Sequence, residues 1–339
     1  MSGPPGVATN PFRWRDGERM ILFGRGKLAE AADLLDPGYV VLTTARACSA
    51  APELMKAAAS VHDVPAGRVD ELAGALRDRV RGERLVALGG GRVIDVAKAL
   101  AAADPPCAVA AIPTTLSGAE MTAGHRRVPG ARADTPGVRP AIVINDPALS
   151  ASQPLEQLAR SAGNALGHAI EGPATQLRNP VAELAALAAV RLIAEGLATP
   201  GEPLDDERRD ALALAALLAG YVIDSTGYGL HHILSQTLAR FAGVAHGAAN
   251  TIMLPHTTQA LAPRAPEWHA RLSDALGSDP VTLATAVRDL SGLEGLRDAG
   301  VTEEQLEHCV EEASKRPDLA GTPPAAGVEE VRALYRAAY

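Results

Sequence analysis

A change of rhythm at Asn145-Asp146-Pro147 constrains this chain more than any other feature. Before it, short apolar runs alternate with helical spacing. Residues 19–24 read as a strand closing on a glycine turn, 27–35 as a helix, 39–44 as an apolar strand and 51–59 as a helix. Val69, Leu72, Leu76 and Val80 repeat at three and four, which predicts a helix with one buried face over 69–80. Residues 85–88 form a buried strand, 93–103 a helix, and 108–112 and 141–144 two more strands. Apolar strands separated by helices predict a parallel sheet covered on both faces. After the change only helices follow, at about 155–175, 180–196, 206–224, 228–240, 247–261, 265–275, 281–293, 302–314 and 326–338. The expected fold is α/β plus all-α. A parallel-sheet, Rossmann-like nucleotide-binding domain fills 1–149, and a helical-bundle domain carrying metal and substrate fills 150–339.

Composition narrows the function. Aromatics are 3% of the chain, so the cores are built from Ala, Leu and Val. The Ala-rich runs 182–194 and 211–219 lack sustained heptads and read as tightly packed bundle helices. A formal net charge of -8 argues against nucleic acid or an anionic membrane as the main partner. Cys48, Cys107 and Cys309 are scattered without metal spacing, which suits a reducing cytoplasm. No apolar run reaches the roughly 18 residues of a membrane span. Residues 1–6 lack a signal-peptide core and read as a frayed tail.

The candidate site lies between Gly163 and His246. Positions four apart share a helix face, so Asn164 and His168 form one claw and His232 and Gln236 a second. His246 would lie roughly 21 Å beyond His232 on an unbroken helix. A break is required, and residues 241–247 supply one with two glycines. Two helices and a turn then converge on one point. Glu171 lies about one turn past His168 and reads either as a partner to that point or as a surface salt bridge.

Two loops in the first half suit a cofactor. Residues 85–98 run strand, Gly89-Gly90-Gly91, then a helix bearing Asp95 and Lys98. Glycines let backbone N–H groups approach a pyrophosphate, and a helix N-terminus favours negative charge; a plain tight turn is the competing reading. A second loop, residues 111–122, places Thr114, Thr115, Ser117 and Met121 at a strand's C-terminal end, where open α/β sheets bind ligands. Standing alone, it would read as an ordinary Ser/Thr-rich turn.

GGGRVIDVAK (89–98), IPTTLSGAEMT (112–122), NDPAL (145–149), SAGNALGHAIEG (161–172) and the run 229–256 together resemble the iron-containing alcohol dehydrogenase superfamily. Within it the maleylacetate reductase branch is the most similar, on the second loop, on Asn164, on GLHH and on the tail 328–339. The resemblance implies a dehydroquinate synthase-like pair of domains, an active site in the cleft and NAD or NADP as cofactor. It places the pyrophosphate on Gly89, Gly90 and Gly91 near Asp95. Thr114, Thr115 and Ser117 fall on the nicotinamide side, and Met121 and Thr44 are also counted among cofactor contacts. Thr44 stands where NAD-preferring relatives often carry an acid, so a 2′-phosphate is not repelled.

Two departures from the family pattern matter. Metal-using relatives hold Fe or Zn with one Asp and three His; the matching set here is Asn164, His168, His232 and His246. A neutral carbonyl in place of the anionic ligand weakens divalent binding. The family's proton-passing histidine is Gln236, which does not titrate. His231, His125, Tyr228 or a water are candidate replacements, and Arg126-Arg127 are candidates for a substrate carboxylate or for a solvated loop. The resulting expectation is an NAD(P)-dependent oxidoreductase acting on a secondary alcohol or ketone. His168, His232 and His246 polarise the oxygen while Asn164 and Gln236 orient it. Its partner is a small molecule, including a carboxylate-bearing, peptide or natural-product intermediate, and its assembly a homodimer. A specialised oxidation with decarboxylation fits the same residues. The alternative is a lyase, a cyclase or a partner subunit that has left hydride transfer.

Overall fold

Seven strands form one sheet: β1 (Phe12–Asp16), β2 (Arg19–Phe23), β3 (Val40–Thr43), β4 (Ser60–Asp63), β5 (Arg84–Gly89), β6 (Ala108–Pro113) and β7 (Ile142–Asn145). Their order is β1-β2-β7-β6-β5-β3-β4. Side chains alternate in direction along each strand. Val41, Val86, Leu88, Ala110, Ile112 and Ile144 therefore enter one core, while Val40, Leu42, Leu85, Ala87, Val109 and Ala111 enter the opposite one. A strand that is apolar at consecutive positions is explained only by burial on both faces. This computed structural model describes residues 9–132, 134–151, 153–197 and 204–339. The stretch read as a frayed tail lies outside the described residues.

The sheet is parallel except at one margin, where β1 pairs antiparallel with β2. Neither β1 nor β4 was expected. Both are margin strands with mixed polarity, Phe-Arg-Trp-Arg-Asp and Ser-Val-His-Asp, and neither shows the apolar run of a buried strand. The expected helix over 69–80 is shorter, Val69–Leu76.

The compact unit that holds the sheet ends at Ser152, and a second begins at Gln153. Among its described residues the second has no strand, and its α-helices are Leu155–Glu171, Pro180–Leu197, Asp206–Thr226, Leu230–Phe241, His246–Leu261, Pro266–Leu276, Pro280–Leu290, Glu303–Ser314 and Val328–Ala337. Starts are marked by side-chain caps at Asp205, Asp279 and Thr302, the last a full capping box with Gln305. The expected break between Leu230–Phe241 and His246–Leu261 is present and turns at Gly243, whose φ of 72° favours glycine. Among the described residues no single helix is long and apolar enough to cross a membrane.

Within the sheet unit a buried cation clasps the second loop to the helix after the glycine turn. Lys98 is fully buried, and its Nζ donates to Asp95 Oδ1 at 2.9 Å, Ala119 O at 3.2 Å, Thr122 Oγ1 at 3.1 Å and Gly124 O at 2.6 Å. Four acceptors on two segments meet one ammonium. Removing a buried charged donor leaves its partners desolvated. Lys98→Met is expected to lower unfolding free energy by about 2 kcal/mol or more. Urea denaturation checks this, and a change below about 0.5 kcal/mol would show that the clasp is not holding the loop.

Candidate active site

Strand β5 delivers Gly89, and Gly90 is the N-cap of the thirteen-residue helix Gly91–Ala103, with no side chain capping it. The second loop lies directly on this turn. A Cβ built on Gly90 would sit 2.9 Å from Thr115 Cγ2, and one on Gly91 2.9 Å from Ser117 Cβ. Thr114 N donates to Gly89 O at 3.0 Å, tying the two loops together. Bare backbone at a long helix's N-terminus, flanked by two half-buried hydroxyl residues, is the chemistry of a phosphate cradle.

Other expected cofactor residues are placed differently. Asp95 is engaged by Lys98, so that pair holds the loop rather than offering a cation to phosphate. Met121 is fully buried beneath the loop, with its sulfur 3.7 Å from Arg19 Nη2, and this corrects its assignment as a cofactor contact. Thr44 follows β3 and caps the turn Ala45–Cys48 by accepting from Ala47 N at 3.3 Å. Glu120 is buried with both carboxyl oxygens lacking a hydrogen-bond partner, and burial pushes its pKa up to about 7.

In the helical unit, His168 and His232 meet with ring centroids 4.5 Å apart and planes 24° apart. Asn164 is buried one turn before His168 on the same face. The rings approach because the helix that carries His168 presents little bulk to its neighbours: a Cβ on Gly163 would lie 2.4 Å from Thr251 Oγ1, and one on Gly167 2.4 Å from His231 Nε2.

Glu171 is the residue that sequence reasoning left undecided, and it organises the centre. It is fully buried. Its Oε1 accepts from Gly229 N at 2.8 Å and His232 Nδ1 at 3.0 Å, and its Oε2 from His232 N at 3.2 Å. The carboxylate thus satisfies open N–H groups at the start of Leu230–Phe241 and fixes the His232 tautomer, with hydrogen on Nδ1 and a bare Nε2. That Nε2 is buried without a protein partner, as is His168 Nδ1. Burial, and then the charge of neighbouring histidines, holds both imidazoles well below their usual range, so both are neutral at pH 7. Burial also raises Glu171, against the pull of His231 and its own N–H donors.

The remaining candidates separate clearly. His231 is buried, hydrogen-bonds Thr257 Oγ1 at 2.8 Å through Nδ1 and is pushed down to about 3 by burial, so it is a core residue and not a relay. Tyr228 is half-exposed with its ring 5.2 Å from that of His232. His125 belongs to the sheet unit, where Nδ1 meets Arg126 O at 3.0 Å. Arg127 donates to Thr135 O at 3.3 Å in an exposed loop. Trp268 is buried packing, with Nε1 donating to Ile170 O at 2.9 Å. Gln236 accepts from Arg316 Nη2 at 3.1 Å through Oε1. Nothing in the sequence marked Arg316, which lies eighty positions away.

The expected four-ligand metal set is not assembled. His246 opens its helix, is exposed, and turns Nε2 to Asn250 Nδ2 at 3.2 Å. Among the described residues no group of three or more His, Cys, Asp or Glu is disposed to hold a metal ion. Two imidazoles and an amide carbonyl, with no third imidazole and no anionic ligand, are a weak donor set for a divalent ion. The residues present do not fit a metal as they stand.

The Fe-containing alcohol dehydrogenase family, C-terminal, matches residues 158–339. Maleylacetate reductase of Sphingobium indicum is 33% identical over 284 residues, covering 77% of this chain and 79% of that protein. The 1,3-propanediol dehydrogenase of Klebsiella pneumoniae is 31% identical over 216 residues, covering 59% of this chain and 55% of that one. The crystal structure of maleylacetate reductase from Agrobacterium tumefaciens matches with a TM-score of 0.82 at 26% identity, covering 99% of both chains.

The neutral imidazoles set a pH dependence. In the unfolded chain each titrates near pH 6.5, whereas His168, His231 and His232 stay unprotonated in the fold. The unfolded state therefore binds more protons as pH falls, and stability falls with it. Each histidine is expected to remove about 2 kcal/mol between pH 7.5 and pH 5, partly offset by Glu120 and Glu171, whose raised pKa values act in the opposite sense. Ring titrations by NMR check this; protonation of any of the three above pH 5.5 in the folded protein would contradict it.

Proposed function

The chain belongs to the Fe-containing alcohol dehydrogenase family and is an NAD(P)-dependent oxidoreductase; from that premise we propose that it interconverts a secondary alcohol and a ketone with His232 as the acid–base group. The family implies a nicotinamide cofactor and a divalent metal. The glycine cradle fits the first, with Gly90, Gly91, Thr115 and Ser117 receiving the phosphates and the ring side. The donor set does not fit the second, so no step here passes through a metal. When bound, the nicotinamide supplies the hydride acceptor or donor.

The observation that carries the reading is the Glu171–His232 hydrogen bond with its bare Nε2. In oxidation, Nε2 would accept the proton of the substrate hydroxyl as the C–H bond breaks. Glu171, on the far side of the ring, stabilises the imidazolium that forms. In reduction the same proton returns to the carbonyl oxygen. Burial opposes charging the ring, and the carboxylate offsets that cost only while it stays ionised. Asn164 and His168 position the oxygen by hydrogen bonds. General acid–base help of this kind is typically worth about 10²–10⁴ in rate.

NADP is accepted on this reading. Thr44 is neutral, and Arg46 is exposed three residues beyond the end of β3, where the adenosine ribose of a bound dinucleotide would fall. Fluorescence titration is expected to show NADPH binding no more weakly than NADH, and Gly90→Ala weakening both at least about tenfold through the contact with Thr115. Absence of binding by either nucleotide at millimolar concentration would defeat the assignment. His232→Asn is expected to lower turnover of secondary alcohols about 10²–10⁴-fold with cofactor affinity unchanged.

A further inference from the structure

Gln236 lies one turn beyond His232 on the Leu230–Phe241 helix, about 6 Å along the axis and on the same face. Its Oε1 accepts from Arg316 Nη2 at 3.1 Å. Arg316 follows the Glu303–Ser314 helix, where its N donates to Ala313 O at 3.0 Å, and its side chain is 31% exposed. The same Nη2 stands 3.4 Å from Asp318 Oδ2, a carboxylate that is itself 57% exposed. Among the described residues Nε and Nη1 have no hydrogen-bond partner. A guanidinium carries five N–H donors in a rigid plane, and here most of the fork is unspent.

This explains why a glutamine suits position 236. A titratable imidazole in contact with a guanidinium would be held neutral and would compete for the same hydrogens. An amide oxygen accepts without charge and aims the fork. The side chains around the reacting oxygen, Asn164, His168 and His232, are neutral, whereas the side chain one turn along, Gln236, holds a guanidinium, that of Arg316, which pairs with the exposed Asp318 through Nη2 alone. On a chain of net charge -8 an anionic substrate is admitted only where a local cation outweighs the general field.

We infer that Arg316, aimed by Gln236, is the residue that selects the substrate, pairing through its unspent donors with a carboxylate carried on the same molecule as the reacting oxygen. The assignment rests on the reading of His232 given above. Gln236 is a positioning residue in it and moves no proton. A purely structural Arg316 would pin the turn at Pro317–Gly321 to the Leu230–Phe241 helix and would not distinguish a charged ligand from a neutral one.

Isothermal titration of the full chain with succinate and with its neutral diamide separates these roles. The wild type is expected to bind succinate at least about tenfold more tightly than the diamide, with a preference that weakens in added salt. Arg316→Met abolishes the preference. Arg316→Lys keeps part of it, since charge remains without the fork. Gln236→Ala weakens succinate several-fold and leaves the diamide unchanged. No preference in the wild type, or the same preference in Arg316→Met, overturns the inference. Unfolding midpoints of the variants identify any that fail to fold, and the conservative Arg316→Lys then decides. NADPH titration of the same samples keeps the two readings apart: a lost cofactor site defeats the oxidoreductase mechanism, whereas retained NADPH binding without succinate selectivity defeats Arg316 alone.

Discussion

A single buried carboxylate holds the helical unit's centre together. Glu171 ends one helix and caps another, taking two backbone N–H groups and one ring N–H at Gly229 and His232. A negative charge at a helix N-terminus is favourable in its own right, and here it also decides which nitrogen of His232 is bare. The contact requires that residue 229 have no side chain. A Cβ there would stand 2.0 Å from Thr322 Oγ1, the hydroxyl that accepts from Leu230 N at 3.1 Å. One helix start is thus satisfied from two directions, by a carboxylate on one side and a threonine on the other.

The same logic recurs with opposite sign in the sheet unit. There the buried ion is an ammonium, and two of its four partners are carbonyls of the loop that overlies the glycine turn. Both devices spend a buried charge on fixing backbone, and beside the carboxylate residue 229 is glycine because the Thr322 side chain already fills the space. Alanine-rich helices extend this in the second unit, where small residues let helices close up until polar groups from separate segments touch.

Much of this was legible in the sequence, for identifiable reasons. The helices were readable because a buried face repeats at 3.6 residues whatever its neighbours. His168 and His232 were readable because spacing of four from Asn164 and Gln236 puts pairs on one face. Strands β1 and β4 were not, since margin strands carry charged or polar residues at alternate positions and lose the apolar run. Asp95 and Lys98 looked like phosphate ligands because their position after the glycine turn is all a sequence reveals; that the ammonium points inward to Gly124 O depends on where the second loop returns. Arg316 carried no local signal at all, because its meaning comes from one hydrogen bond to a residue on a distant helix.

Both departures from the metal-using pattern replace a side chain that can gain or lose a proton with a carboxamide, Asn for Asp at 164 and Gln for His at 236. An amide offers a fixed dipole where the family pattern offers a titration. With His231 locked to Thr257 and kept neutral by burial, the protonic freedom of the centre has contracted to the Glu171–His232 couple. On the reading proposed for His232, the reacting oxygen answers to that couple alone, and the pH dependence of the rate is that of the pair rather than of either residue.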